Sequence, residues 1–410
     1  MRATTVLRKM LGITQVFVRG FRFTADGLIV EVEPSWKHPR CGECRERAPR
    51  YDRADPRRWR GIGIGRLRLW LEYSPRRVSC SRCGVRIEAV PWARHRSRFT
   101  RDFEELCAHL ARSTDKTTVR NLLGIAWSTV GRIADRIVAE RLEDSRFDGL
   151  RRIGIDEFSY RRRHRYLTIV VDHDRKRVVW AGAGSQYETL REFFSLLGPD
   201  RCAEIEAATI DMCAGYRKAV RENLPNAEVV FDRYHVQQLA SDAVDQVRRE
   251  QLRELRGTPE GRELFNSRFV LLKNPWDLGR SERQKLRDIE KSNAPLFRAY
   301  LLKETLARAL DYRQARRAER ALKDWLRWAC RSNLEPFIRI SKTIRKHFAG
   351  VLAYVQHRLT NGIVEGFNSK HRMIARRAYG FHGPEPLIAL IHLCSGGIRL
   401  DPPLPGPTGT

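Results

Sequence analysis

Two periodicities of apolar residues divide the chain. Apolar runs at Thr14 to Val18 and Gly27 to Val32, joined through Asp26 and Gly27, predict a β-hairpin. Strict alternation from Arg66 to Tyr73 predicts another strand. Between Phe99 and Leu142 the period becomes helical. There, two amphipathic segments meet at Gly124, with Val119, Leu122, Leu123 and Ile125 inward, Ser128 as cap of the second, and Val130, Ile133 and Ile137 on its buried face. That spacing suits a helix-turn-helix, in which Ser128, Thr129 and Arg132 reach the DNA major groove; a helical hairpin that only packs is the rival.

From Arg152 the pattern turns α/β. Strands are predicted at 152–158, 165–172 and 176–183, with Asp174 to Lys176 as a turn, so the three form an antiparallel meander. A helix over Tyr187 to Leu197, a buried strand from Ile205 to Ile210, a helix near Tyr216 to Asn223 and a strand from Glu228 to Phe231 follow. This is the order of a ribonuclease-H-like fold. Strands then stop for about 130 residues, where stripes such as Leu322, Trp325, Leu326 and Ala329 predict a helical insertion. The expected organisation is a β and zinc-binding domain over 1–95, a helix-turn-helix domain over 96–148, a ribonuclease-H-like core begun at 149–235, the insertion at 236–358, the last core helix within 359–400 and a flexible tail at 401–410.

Charge narrows the partners. The 78 Lys and Arg against 49 Asp and Glu leave +29 over 410 residues, while 42% hydrophobic residues, 9 Trp and 17 Phe can fill real cores. A folded polycation of this kind favours a nucleic acid. The sequence holds no apolar run of membrane-spanning length and its start lacks a signal-peptide core, so a cytoplasmic protein with no membrane partner is expected. In that compartment nine cysteines are not a disulfide framework. Cys41 and Cys44, then Cys80 and Cys83, make two CxxC pairs framing the 66–73 strand, the arrangement of a structural zinc site built from four thiolates. Because 35 residues separate Cys44 from Cys80, the basic stretch Arg50 to Arg60 is expected to loop out, with His38 as a substitute ligand.

Three acids stand where phosphoryl chemistry needs them: Asp156 in mid-strand, Asp211 closing an apolar strand and Glu365 in a helix-like segment starting at Asn361. Phosphodiester cleavage requires attacking and leaving oxygens stabilised together, which two Mg2+ (or Mn2+) ions achieve when hard carboxylate ligands converge from rigid elements. Asp156 is assigned as the bridging ligand, Asp211 as ligand to one ion and Glu365 as ligand to the other. On the Glu365 helix, Asn368, Arg372 and Arg376 share a polar face that can look toward phosphate, and Val364, Phe367, His371 and Ile374 share another. Glu157 points to the opposite sheet face from Asp156. Asp232 is either a fourth site acid or a helix N-cap, and His235 either contacts the scissile phosphate or packs.

With these features in order, the chain resembles the DDE transposases of bacterial insertion sequences, specifically the ISL-three type. The resemblance is carried by the two CxxC segments and by Gly154 to Phe158, Thr209 to Tyr216, Phe231 to Val236 and Thr360 to Arg372, and covers nearly the whole chain. It implies that Asp156, Asp211 and Glu365 match the family's catalytic acids. It further implies binding to the inverted terminal repeats of a mobile element, metal-dependent cleavage at its ends and joining to target DNA. Holding two ends together calls for a homodimer or higher oligomer. A nuclease or resolvase on the same core, cutting without joining, and a zinc-dependent DNA-binding regulator are the alternatives.

Overall fold

The computed structural model describes residues 3–161, 165–211, 213–378 and 383–403. Two compact units emerge: Met1–Arg141 together with Ile398–Thr410, and Leu142–Gly397.

In the first unit a short helix, α1 (Ala3–Leu11), precedes β1 (Val16–Thr24) and β2 (Gly27–Pro34), the expected hairpin. Then come β3 (Arg50–Arg53), β4 (Arg57–Ile64), β5 (Leu67–Tyr73), β6 (Arg76–Cys80) and β7 (Gly84–Ile87). The stretch Arg50 to Arg60 therefore does not loop out: it forms β3 and the start of β4, from which Trp59 is buried. One sheet runs β1-β2-β5-β4 and a smaller one β3-β6-β7. The larger sheet closes over Trp59, Tyr73 and Trp92, with Trp59 and Tyr73 each meeting the Trp92 ring edge-on at 5.6 Å.

Three helices follow, α2 (Arg101–Ser113), α3 (Lys116–Leu123) and α4 (Trp127–Arg141). Asp115 caps α3 by accepting from the amides of Thr117 and Thr118, both at 2.9 Å. Gly124 ends it at φ 57°, a left-handed conformation that glycine adopts without penalty. Val119, Ile125, Val130, Ile133 and Ile137 are buried as expected. Leu122 instead is exposed, and Ser128 lies inside α4, which already starts at Trp127.

The helices are locked to the strands preceding them. The Arg60 guanidinium donates to the carbonyls of Gly124 and Leu123 at 2.8 and 2.6 Å. Arg94 is buried and forks onto three carboxylates: Glu104 at 3.1 Å, Glu105 at 2.5 Å and Glu140. Removing it strands two buried carboxylates with one guanidinium fewer. Arg94→Ala is therefore expected to destabilise this unit by about 3–5 kcal/mol, read from the urea midpoint. The backbone amide of Asp401 donates to Glu105 at 3.1 Å, so the expected flexible tail is anchored at its start; residues 404–410 lie outside the described ones.

The second unit holds a five-stranded sheet of β8 (Arg152–Arg161), β9 (Arg165–Asp172), β10 (Arg177–Ala183), β11 (Ala207–Ile210) and β12 (Glu228–Phe231), in the order β10-β9-β8-β11-β12. The first three are antiparallel; β11 runs parallel to β8, and β12 to β11. Between them lie α5 (Tyr187–Leu197), α6 (Pro199–Ala203) and α7 (Ala214–Asn223). The all-helical stretch comprises α8 (Arg233–Glu254), α9 (Pro259–Glu263), α10 (Arg268–Leu272), α11 (Arg280–Ser292), α12 (Ala294–Asp311), α13 (Ala315–Cys330), α14 (Glu335–Lys346) and α15 (Phe348–His357). Its apolar stripes, including Leu322, Trp325 and Ala329, share one core with β8, β11 and β12. The chain then returns to the sheet as α16 (Gly362–Arg377) and α17 (Glu385–Ser395). Helices cover both sheet faces: α7 meets the face of Glu157, whose carboxylate accepts from Tyr216 Oη at 3.2 Å, and α16 meets the face of Gly154. Among the described residues, no helix is long and apolar enough to cross a membrane.

Candidate active site and metal centres

Strand register sets the first two acids side by side. Thr209 of β11 pairs with Gly154 of β8, and the two strands are parallel. Two positions further on each stand Asp211 and Asp156, and Asp211 lies near enough to raise the pKa of Asp156. Burial is the larger cause, and together they push the Asp156 carboxyl up to about 6. A carboxylate held this way is one that a bound cation would keep ionised. Asp211 follows its strand at once and accepts from the Cys213 amide at 2.9 Å.

Helix α16 delivers the third acid because it lies hard against β8. A Cβ at Gly154 would fall 2.5 Å from Val364 Cγ2 and 2.8 Å from His173 Nε2, so only glycine permits this approach. Gly154→Ala is expected to cost about 1–3 kcal/mol, measured by urea unfolding, and to slow catalysis by pushing α16 outward. Val364, His371 and Ile374 are buried on the helix underside, with the His371 ring 5.7 Å from Phe158 of β8. Arg372 and Arg376 are exposed, but Asn368 does not share their outward face: it is buried and donates to Asp156 Oδ2 at 2.8 Å. One turn earlier on the same helix stands Glu365.

Glu365 has neighbours that spacing in the sequence does not bring together. Its carboxylate, that of Asp232 and the His235 imidazole each offer a ligand atom, all within 4.8 Å of one another. Asp232 occupies the N-cap position of α8 yet makes no side-chain cap bond; its Oδ1 accepts from the Asn361 amide at 3.1 Å. His235 in turn lies close enough to Asp156 to act on its charge. Asp156 thus has Asp211 beside it on the neighbouring strand, Asn368 of α16 bonded to it and His235 acting on it, while Glu365 groups with Asp232 and His235.

The four cysteines of the CxxC pairs meet in the first unit, their Sγ atoms within 4.8 Å of one another, while His38 stays outside the group. The residue after each pair, Arg45 at φ 64° and Gly84 at φ 72°, is left-handed, which folds each CxxC into a knuckle. Cys44 and Cys80 Sγ are 3.6 Å apart, close to the edge of about 3.8 Å that tetrahedral coordination at about 2.3 Å requires. Backbone amides of Cys83 and Arg82 draw the Cys80 thiol down to about 7. These four residues fit a tetrahedral thiolate-bound metal.

On α4, Ser128 and Arg132 are exposed, whereas Thr129 is buried and accepts from Arg132 Nη2 at 3.1 Å. Thr129 therefore packs and orients Arg132 instead of facing a groove. Beside this helix the first unit has a cavity of about 900 Å3. Exposed Arg45, Arg57, Arg58, Arg86, Arg96 and Arg98 line it, and Ile125, Ala126 and Thr129 border it at the start of α4.

A family model described as a transposase matches residues 153–391, and one described as the helix-turn-helix domain of transposase family ISL3 matches residues 88–138. The chain belongs to the ISL3 family of transposases. Among curated relatives, this transposase is similar to the transposase for insertion sequence element IS1557 of Mycobacterium tuberculosis, in strains CDC 1551 and H37Rv, with 37% identity over 99% of this chain and 98% of that one. It is also similar to the transposase for insertion sequence element IS1001 of Bordetella parapertussis, with 30% identity over 87% of this chain and 89% of that one. The enzyme is accordingly a DDE transposase with a helix-turn-helix for DNA.

Proposed function

We propose that this transposase binds the inverted terminal repeats of its own insertion sequence, cleaves DNA at those ends and joins the freed 3′-hydroxyl to target DNA. The observation that carries the reading is the placement of Asp156 and Asp211 at matching positions of neighbouring parallel strands, with the Glu365 helix laid against the first strand and bonded to Asp156 through Asn368. The strand order β10-β9-β8-β11-β12 supports a ribonuclease-H-like core. Two Mg2+ or Mn2+ ions, when bound, would stabilise the charge on the attacking and leaving oxygens.

The side chains do the positioning. Asp156, central and half-buried, is the acid fit to serve both ions, with Asp211 on one side and Glu365 on the other. Asn368 fixes the Asp156 carboxylate from α16, so Asp156 is held between a strand and a helix, with Glu365 on that same helix and Asp211 directly at the end of β11. Exposed Arg372 and Arg376 further along α16 are suited to phosphate. Cys41, Cys44, Cys80 and Cys83 would hold a structural Zn2+, a closed set of four thiolates leaving no open position for catalysis.

End recognition falls to the first unit. Ser128 and Arg132 would face the major groove, and the arginine-lined cavity beside α4 suits the adjoining phosphate backbone. Arg132→Ala is expected to weaken binding to end DNA by about 1–3 kcal/mol and binding to random DNA less; equal loss in a gel-shift titration would make it a phosphate contact only. Two ends must be held at once, which calls for a homodimer or higher assembly.

The joining step separates this reading from a nuclease or resolvase. A duplex carrying the element end with an exposed 3′-hydroxyl, mixed with supercoiled plasmid, protein and Mn2+, should yield end DNA covalently attached to plasmid. Cleaved products with none joined would refute transfer.

A further inference from the structure

The group formed by Asp232, His235 and Glu365 has a chemistry of its own. Asp232 is almost wholly buried, at 1% exposure, and its Oδ2 has no hydrogen-bond partner among the described residues. The buried Nε2 of His235 has none either. An acid at a helix N-cap normally accepts from the first turn, but Asp232 instead engages the Asn361 amide through Oδ1. That bond ties the start of α8 to the residue preceding α16, and Asn361 is itself gripped by Thr209 Oγ1, which donates to its Oδ1 at 2.5 Å. The arrangement fixes Asp232, His235 and Glu365 relative to one another while leaving one carboxylate oxygen and one imidazole nitrogen open to a ligand. An unpaired buried carboxylate oxygen is destabilising, and it persists in folded proteins mainly where a ligand completes it.

The geometry points to Asp232 and His235 as further metal ligands, joining Glu365 to hold one divalent cation through two carboxylates and an imidazole. This rests on the two-ion reading above and makes it specific: Asp211 holds one cation beside the shared Asp156, and the Asp-x-x-His turn opening α8 completes, with Glu365, the position of the other. The donor set has a consequence for metal choice. Carboxylate oxygens alone suit Mg2+, whereas an imidazole nitrogen shifts preference toward later transition ions and favours Mn2+ over Mg2+. The His235-containing position should therefore be the one that takes Mn2+ in preference to Mg2+.

The test uses full-length protein with its cysteine site loaded, titrated with Mn2+ alone and read by electron paramagnetic resonance. Pulsed measurements should detect nitrogen hyperfine coupling from one imidazole on bound Mn2+. In His235→Gln that coupling should vanish and the affinity of one class of Mn2+ sites fall at least about tenfold, with the Mn2+ over Mg2+ preference reduced. Asp232→Asn, which can still accept from Asn361 through its amide oxygen, should weaken the same class and leave the far-ultraviolet circular dichroism unchanged. In Asp156→Asn the nitrogen coupling should persist even where Mn2+ binds more weakly, because Asp232, His235 and Glu365 still give that ion three ligands once the shared Asp156 carboxylate is lost. Mn2+ bound without nitrogen coupling, or His235→Gln binding as the parent does, overturns the ligand assignment while leaving the two-ion reading intact. Absence of Mn2+ binding to the parent protein overturns both.

Discussion

Asp156→Asn is expected to lower cleavage and joining by about a thousandfold or more, while binding to end DNA stays within a few fold. The substitution keeps the side chain's shape but removes the charge at the centre of the acid group. Charge stabilisation by bound cations supplies several kcal/mol in such chemistry, and each step of about 1.4 kcal/mol is about tenfold in rate. The change should spare the fold, because Ile153 and Ile155 on the other face of β8 carry the core burial there. The check is a cleavage time course beside a gel-shift titration on one preparation. Parallel loss of binding would mean that Asp156 supports structure instead of chemistry.

Cys80→Ser is expected to release zinc, unfold the β3-β6-β7 sheet and weaken end recognition. The reason lies in how little else holds that sheet. Its strands are four or five residues long, and the buried residues of its core are Cys41, Ala48, Val78 and Cys80. Two of those four are the ligands themselves. Apolar burial on that scale does not offset the conformational entropy of ordering the strands, so a metal held by the four thiolates would supply the stability, as it does in small metal-held modules. The damage should spread to DNA binding through the arginine-lined cavity, which Gly42, Arg45 and Arg86 of this region help to form. Elemental analysis showing about one zinc per parent chain and none in the variant, with loss of protease resistance near residues 41–87, would bear this out. A parent protein that is folded and free of zinc would contradict it.

The catalytic unit's elements were legible because its strands alternate or run apolar between clear turns. The helix Tyr187–Leu197 and the strand Glu228–Phe231 coincide with expectation, and the meander differs only at strand ends. The first unit was less so: Arg50 to Arg60 reads as a basic loop because β3 and β4 carry charge on most positions, and their inward contribution rests largely on Trp59. Thr129 reads as groove-facing for a similar reason, since a hydroxyl next to an exposed serine on a helix start gives no sign of which of the two turns inward. The grouping of Asp232 and His235 with Glu365 spans well over a hundred residues of helical insertion. Its only local trace is an Asp three residues before a His at a strand end, which reads equally well as a capped helix. Nor does polarity reveal that Asn368 is a buried partner of Asp156, because that depends on how closely Gly154 lets α16 approach.

The most direct test of the central claim incubates the purified protein with a plasmid carrying its gene and several hundred flanking base pairs, in Mg2+ or Mn2+, beside Glu365→Gln. Breaks are mapped to the base. The account predicts metal-dependent breaks at two defined flanking positions, bounding an inverted repeat, that are lost in the variant. Breaks scattered along the plasmid, or the same breaks in Glu365→Gln, would contradict it.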